Sequence, residues 1–440
     1  APQIPYGFEL NDAANWVVSE VRDRPSTQSN DFDTARLGLT FDFTDALALN
    51  GGVSWKEYTF DVSECRRDRT LPINAAGCTL PLTPVTADQG YISSFGEDIN
   101  VPAGTQTSFF VADVRAIADA IGLYTNEACF PLVTRVQDVR GVVEDDFGYH
   151  LQLNFDTTLF GLPFRGDLGV RYVETDLESR GVQVVGTENV MDTVDRSYSD
   201  TLPAVNLVIE PINNLLVRGS WSKVMSRPNL GNLTPGGTIN GFAVPPVVTF
   251  GNPDLEPFRA DAYDLSFEWY FAEESLLALA LFRKDIESFT VSSTQQLPWS
   301  AIGLPDSLLD QVPASPSDTF DVRTTVNGEG GDLEGFEIQY QQPLTFLPGP
   351  EWVRNFGLIA NYTNVKSEVN FGTPAQPIIR NLNGLSEEAF NLTFYFENDR
   401  VSARVSLSDG DESQRNATPR AGNDLDFTES ATNMDFSAAY

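Results

Sequence analysis

The 440-residue sequence lacks any apolar run of about 18 residues, the length that a transmembrane helix needs. Basic residues are scarce, because 28 lysines and arginines stand against 62 aspartates and glutamates and give a net charge of -34. The missing run excludes helical membrane spans but not membrane-crossing strands, whose alternation dilutes hydropathy. The acidic charge excludes nucleic-acid binding, since phosphate would be repelled. Solvated loops are expected to carry the charge, with a cation-binding surface or a saline habitat as alternatives.

Residues suited to catalysis or metal binding are also few. His150 is the only histidine, it alternates with Gln152 on a polar face, and no Gly-x-Ser-x-Gly elbow accompanies it. The adjacent carboxylates Asp145 and Asp146 diverge to opposite faces of a strand, so they do not make a glycosidase pair. The acidic stretch 409–412 lacks the full EF-hand spacing and is interpreted as a solvated loop. We expect no enzyme activity, no cofactor and no metal site.

Three cysteines are present, and none has the Cys-x-x-Cys spacing of a metal site. Cys65 and Cys78 bracket a polar segment containing glycine and proline, which favours a small disulfide loop in an oxidising compartment. We expect this bond to lie outside the cell and Cys129 to remain a buried free thiol. Three unrelated thiols are the alternative.

Alternation of apolar and polar residues dominates the remaining sequence. After the loop 251–257, apolar residues occupy every second position from Tyr263 to Phe271, while Asp264, Ser266 and Glu268 point the other way. The same pattern predicts an all-β, antiparallel transmembrane barrel segment of about 13 strands. The candidate strands are 35–43, 47–55, 149–155, 168–172, 205–209, 217–221, 263–271, 276–291, 336–340, 352–366, 390–396, 401–407 and 434–440. Residues 16–21 are a further strand candidate, and 109–123 are a candidate surface helix.

Short turns and long loops alternate between the strands, as they do in outer-membrane barrels with periplasmic turns and extracellular loops. Aromatic residues precede the short turns, as a girdle at one membrane interface would; they are Phe43, Phe155, Phe271 and Phe396. A medium loop is expected at 178–197. The ligand-binding surface is expected in the long loops 62–140, 224–260 and 293–328.

The alternation also predicts which side chains share a face. The outer, convex face is expected to carry Leu37, Leu39, Phe41, Leu151, Leu153, Phe267, Trp269, Leu392, Phe394, Val401, Ala403 and Val405. The inner, concave face is expected to carry Arg36, His150, Gln152, Asn154, Arg218, Glu268, Gln339, Asn391 and Arg404. A slip of one residue would exchange a strand's two sets.

Several motifs, in this order and at this spacing, resemble those of TonB-dependent outer-membrane receptors, particularly the subgroup abundant in Caulobacter- and Xanthomonas-like bacteria. The motifs are 161–166 with 169–175, 202–207, 217–223 with 226–230, 251–257 with 263–265, and 281–286. The resemblance covers about 33–440 and implies roughly 13 strands of a 22-stranded barrel. Plug, TonB box and final hairpin are expected to be missing, with residues 1–32 an extracellular loop or strand extension.

The resemblance implies an outer-membrane active-transport receptor of a Gram-negative bacterium, energised through TonB, for a scarce glycan, iron chelate or cobalamin-like nutrient. Its expected partners are that ligand, outer-membrane lipid and the inner-membrane TonB complex, reached through the missing N-terminal region. The alternative is a soluble, secreted, β-rich carbohydrate-binding module, in which Trp299 and Tyr91 stack on sugars. That module would bury Phe267 and Trp269 between two sheets.

Candidate ligand contacts, in the lumen or the loops, are Arg218, Glu268, Trp299 and Arg404. Most interior charges, Arg36 and Arg171 among them, are expected to pair with interior carboxylates instead. Residues Asn252, Pro253, Asp254 and Pro257 are predicted to shape a loop, because proline fixes φ and Asn or Asp side chains cap turns.

Overall fold

One antiparallel sheet dominates the computed structural model, which describes residues 8–94, 105–185, 188–241, 243–309, 312–371, 377–415 and 426–440. Thirteen long strands form it, called the wall strands here. They are β1 Ser26–Thr44, β2 Leu47–Arg66, β3 Arg140–Leu159, β4 Leu162–Val185, β5 Glu188–Ile212, β6 Leu215–Ser226, β7 Phe258–Ala272, β8 Ser275–Ser288, β9 Gly331–Pro343, β10 Phe356–Asn370, β11 Glu388–Glu397, β12 Ser402–Gly410 and β13 Ala431–Ala439. Two-residue strands Val133–Thr134 and Ile379–Arg380 extend the sheet beside β2 and β10.

The wall strands follow one another as a meander, in which each of β2 to β12 pairs with the strand before it and the strand after it. All thirteen strands predicted from alternation are therefore confirmed. Two-residue turns join β3 to β4 and β7 to β8, and they use the left-handed conformation at Phe160, Gly161 and Glu274. Within the described residues, β1 pairs only with β2, and β13 only with β12.

Two predicted details of the connections are wrong. Residues 16–21 are not a wall strand, because Val17–Val18 and Glu20–Val21 pair with short strands at Thr83–Pro84 and Arg69–Thr70. The expected medium loop at 178–197 is mostly strand, because β4 and β5 remain paired from Phe164↔Ile209 to Val185↔Glu188. Polar residues on both faces of this hairpin concealed its strands from the alternation argument.

The register of the sheet separates the side chains into two faces. Opposite partners such as Leu39↔Gly51↔Leu151↔Val170 define the apolar face. Partners such as His150↔Arg171 define the polar face. Both predicted sets fall on separate faces as expected, except that Val401 precedes β12. Trp269 is 46% exposed and Phe267 is 38% exposed, so no second sheet covers them and the carbohydrate-binding sandwich is wrong.

The apolar face ends in charge on the side of the long loops. Trp55 and Phe147 are opposite partners there, and the next row of the same face is Glu57↔Asp145↔Asp176. Carboxylates do not enter a hydrocarbon layer, so the lipid-compatible band ends at this row. Near the short turns the band carries cross-strand aromatic pairs, such as Phe155 with Phe164. No helix among the described residues has the length and apolarity to cross a membrane.

The connection between β2 and β3 folds into a small, disulfide-linked unit. Its helix α1, Val114–Ile121, begins at Asp113, whose side chain accepts hydrogen bonds from two backbone amides, and ends at Gly122 in the left-handed conformation. This confirms a helix within the expected range. Its short strands are Arg69–Thr70, Ile73–Ala75, Cys78–Leu80, Thr83–Pro84, Gly90–Ser94 and Ser108–Ala112. Short 3-10 turns lie at Ala13–Asn15, Ala87–Gln89 and Val136–Asp138.

The disulfide joins Cys78 to Cys129, so the predicted Cys65–Cys78 bond and the predicted free Cys129 are both wrong. Cys78 and Cys129 share a buried cluster with Ile121 of α1. Cys65 instead lies in β2, where its Sγ atom is 3.7 Å from Thr134 Oγ1. The helix folds the chain back on itself, which brings together two cysteines 51 residues apart.

The two connections on either side of β7 and β8 build a second unit, called the loop sheet here. Its strands lie in the order Gly237–Asn240, Val247–Phe250, Thr319–Asn327 and Thr290–Pro298, with a parallel pair in the middle. Helix α2, Trp299–Ile302, packs the Trp299 ring 4.9 Å from the Phe320 ring. The remaining strands are Ser413–Gln414 and Phe427–Thr428, and 3-10 turns lie at Leu230–Asn232, Asp306–Leu309 and Glu351–Asn355.

Candidate functional site

The loop 227–257 folds over the polar face beyond the apolar band, and the Asn-Pro-Asp motif holds it there. Asn252 Oδ1 accepts a hydrogen bond from the Asp254 amide (3.0 Å), while Asn252 Nδ2 donates to the Thr325 carbonyl (3.0 Å). Asn327 bonds both backbone groups of Glu256, at 2.8 and 3.1 Å. The Asp254 side chain is exposed and Pro257 is buried. The motif thus joins the end of this loop to the strand Thr319–Asn327, which belongs to the connection between β8 and β9.

Two arginines of the polar face complete the attachment. Arg196 of β5 donates to the carbonyl oxygens of Leu255 (2.7 Å) and Pro253 (3.3 Å), and it pairs with Glu256. Arg259 pairs with Asp200 at 2.5 Å and with Glu256 at 2.9 Å. Leu255 itself is buried in a small core with residues of β3 and β4. Sequence reasoning missed both arginines, because all their partners except the Glu256 carboxylate beside Arg259 are 57 to 60 residues away in the sequence.

The base of the same loop is fixed by Arg227, just after β6. Its guanidinium lies 2.9 Å from Glu144 Oε1 and 2.5 Å from Asp146 Oδ1, and Asp146 also accepts from the Thr175 hydroxyl at 2.6 Å. Burial raises the pKa of Glu144 to about 7, against the opposing effect of Arg227. Burial, with the nearby Glu144 carboxylate, also raises the pKa of Tyr198 to about 12.

A cationic recess adjoins this network on the polar face of β1 to β5, level with the half of the apolar band nearer the long loops. It has a volume of about 500 Å³ and is lined by Arg36, Lys56, Arg171 and His150, among others, with no carboxylate in its lining. His150 Nε2 lies 3.0 Å from Asn50 Oδ1, and the Asn50 amide donates to Thr40 Oγ1 at 2.9 Å. The arrangement offers hydrogen-bond donors and positive charge to a small group, without a nucleophile or a paired acid and base.

Almost the whole chain matches one known protein family. A family model described as "TonB dependent receptor-like, beta-barrel" matches residues 2–440. The chain belongs to the TonB-dependent receptor-like β-barrel family. A search of curated proteins gave no significant match.

Solved structures share the receptor fold at low sequence identity. The chain is similar to the copper transporter OprC (12% identity, TM-score 0.55), with 95% of this chain and 49% of that chain covered. It is also similar to the ferric citrate transporter FecA (11%, 0.50; 96% and 48% covered) and to the ferric yersiniabactin uptake receptor FyuA from Yersinia pestis (10%, 0.50; 96% and 48% covered). The chain therefore spans about half the length of these structures.

The four candidate ligand residues of this receptor-family chain do not form one site. Arg218 lies 2.7 Å from Glu268 Oε1 near the short turns, and Tyr270 donates to the same carboxylate at 3.1 Å. Five strands separate Arg218 on β6 from Arg404 on β12, which lines a different recess of about 490 Å³. Trp299 is 1% exposed, so the expectation that it stacks on a ligand is wrong. The loop sheet uses that ring as core instead.

Other predicted residues have clear positions in the receptor wall. Arg36 and Arg171 lie on the polar face as expected. Their expected ion pairs with carboxylates are absent among the described residues. Lys56 lines the same recess, and sequence analysis did not single it out. Tyr91 is 61% exposed on the hairpin of Gly90–Ser94. Within the described residues, no group of three or more His, Cys, Asp or Glu side chains is placed to hold a metal.

Proposed function

We propose that this chain forms part of the barrel wall of an outer-membrane receptor that imports a scarce nutrient with energy supplied through TonB. The observation that carries the proposal is the family match over 2–440 on a sheet with one apolar and one polar face. In the whole protein, loops capture the ligand and displacement of a plug opens the lumen. An iron chelate, a glycan and a cobalamin-like molecule are the candidate ligands.

The folded loops support a capture role at the end of the wall opposite the short turns. The disulfide-linked unit and the loop sheet both lie on this side, and each has its own buried core. Loops with their own cores present a preformed surface, which lowers the entropic cost of binding. The similar solved structures transport copper, ferric citrate or ferric yersiniabactin by their titles, which supports a metal-chelate ligand.

Cell fractionation and uptake assays test this function together. We expect the protein to sediment with outer membranes, and cells producing it to accumulate one labelled ligand from a panel of iron chelates, oligosaccharides and cobalamin. Uptake should stop when TonB is deleted or the proton-motive force is collapsed. Recovery of the protein in the soluble periplasm, or uptake unchanged by loss of TonB, would refute the proposal.

A further inference from the structure

We propose that the cationic recess formed by Arg36, Lys56 and Arg171 binds an anionic group of the ligand, a carboxylate or a phosphate. The identity of the ligand as an imported nutrient rests on the proposed function. The preference of the recess for an anion depends only on residues of the wall strands, whatever the imported ligand is.

The three cations lack the partners that other cations of the polar face possess. No carboxylate lies within 4.0 Å of their nitrogen atoms among the described residues, whereas Arg218 has one such partner and Arg227 and Arg259 have two each. Asp146 lies directly opposite Lys56 in the register. Its carboxylate is already engaged by Arg227 and Thr175, so it does not neutralise Lys56 fully.

The lining of the recess excludes the groups that would repel an anion. Its polar members besides the three cations are Asn50, Ser54, His150 and Gln152. A lining without carboxylates is notable in a chain with 62 acidic residues, because repulsion would otherwise oppose any anion there. Cations placed near one another without counter-ions are a cost to the fold that a bound anion relieves.

Small residues create the space for a ligand group. Gly38, Gly169 and Ala204 border the recess, and Gly52 lies behind the His150 ring that lines it. A Cβ atom on Gly52 would lie 2.8 Å from His150 Cε1 and 2.6 Å from the Leu37 carbonyl oxygen, so the imidazole depends on this glycine for its position. The recess extends from Asn50 to Lys56 along β2, level with the half of the apolar band nearer the long loops, and Lys56 lies one position before the carboxylate row that ends the band.

Calorimetric titration of the detergent-purified protein tests the proposal with citrate, pyrophosphate and uncharged maltotriose as probes. We expect citrate and pyrophosphate to bind and maltotriose not to bind. The affinity for both anions should fall at least about tenfold between roughly 50 and 300 mM salt, because salt at these concentrations screens exposed charges. Arg36→Gln, Lys56→Gln and Arg171→Gln should each weaken anion binding by about tenfold, since each removes one charge-assisted contact.

Matched variants separate the recess from general charge effects. Arg400→Gln removes the same charge from the turn before β12 and should leave binding unchanged, while Arg36→Lys should retain most of it. The proposal is overturned if Arg400→Gln loses as much anion affinity as the recess variants. It is also overturned if the anions bind the unmodified protein no better than maltotriose does, a result that requires no variant to fold. TonB-dependent uptake without anion binding would refute only this inference. Anion binding without TonB-dependent uptake would refute only the proposed function.

Discussion

At the scale of single residues, the cations of the polar face differ in whether a carboxylate lies beside them. Arg218 and Glu268 neutralise each other at 2.7 Å, and Arg227 is shared between Glu144 and Asp146. Such pairs hold strands and loops together, and removing Arg227 would leave the buried carboxylates of Glu144 and Asp146 without their cation. Among the residues that the structure describes, the cations of the recess have no such partner, which is the basis of the anion site proposed above.

Glu144 gives the base of the 227–257 loop a dependence on pH. Its folded pKa of about 7 exceeds the usual carboxyl value of 4.5, so the folded protein holds the proton more tightly than the unfolded chain. The stabilisation is complete below pH 4.5 and is lost as pH rises through about 7, an effect of up to about 3 kcal/mol. Thermal unfolding midpoints of the unmodified protein should thus fall over this range relative to Glu144→Gln.

A control variant should remove a carboxylate that lies away from Glu144. Asp254→Asn is suitable, because its side chain is exposed and only its backbone amide is used by the motif. It should follow the pH dependence of the unmodified protein. A Glu144→Gln profile parallel to the unmodified one would show that Glu144 does not titrate in this range.

At the scale of elements, the Asn-Pro-Asp motif acts as a clasp between the end of the loop 227–257 and the strand Thr319–Asn327. Asn252→Ala removes the side-chain bonds to Asp254 and Thr325 and should destabilise the attached loop by about 1–2 kcal/mol. Limited proteolysis should then cut within 228–257 faster, while the wall strands stay intact. Asp254→Ala is the control and should be cut at the original rate; equal cutting of all three proteins would argue against the clasp.

The disulfide-linked unit provides a second test at this scale. Closing a loop of 51 residues stabilises the folded unit by about 4 kcal/mol in the chain-entropy model. Cys78→Ser should therefore expose residues 67–139 to protease, whereas Cys65→Ser should not. Peptide mapping after alkylation should find one free thiol, at Cys65. A peptide linking Cys65 to either other cysteine would contradict the structure.

The two faces of a wall strand should respond differently to the same charge. Leu153 of β3 lies on the apolar face and its neighbour Asn154 lies on the polar face opposite Asp167. Leu153→Arg should destabilise the membrane-inserted protein by about 2–4 kcal/mol, and Asn154→Arg should be tolerated. Folding into lipid vesicles, followed by urea titration, measures both. Similar losses in the two variants would mean that this face does not meet lipid.

At the scale of the whole molecule, the wall was predictable from sequence and the loops were not. Every wall strand has a stretch in which apolar positions recur, so thirteen strands and both faces follow from local pattern, but the polar part of the β4–β5 hairpin does not. The loops depend on distant contacts with no period, such as Cys78 with Cys129 and Glu256 with Asn327. Trp299 shows the limit, because an aromatic residue in a loop has the same local signature whether it is buried or exposed.

The length of the β4–β5 hairpin determines how far this protein extends from the cell surface. Its strands have 24 and 25 residues, a length of about 80 Å, while the apolar band of such a wall is only about 25 Å tall. Even strongly tilted, the hairpin rises tens of ångströms above the lipid. Antibodies, which are too large for any lumen, could therefore reach the hairpin from outside the cell. An antibody raised against this hairpin should label intact cells, and labelling only after permeabilisation would place the long loops on the wrong side of the membrane.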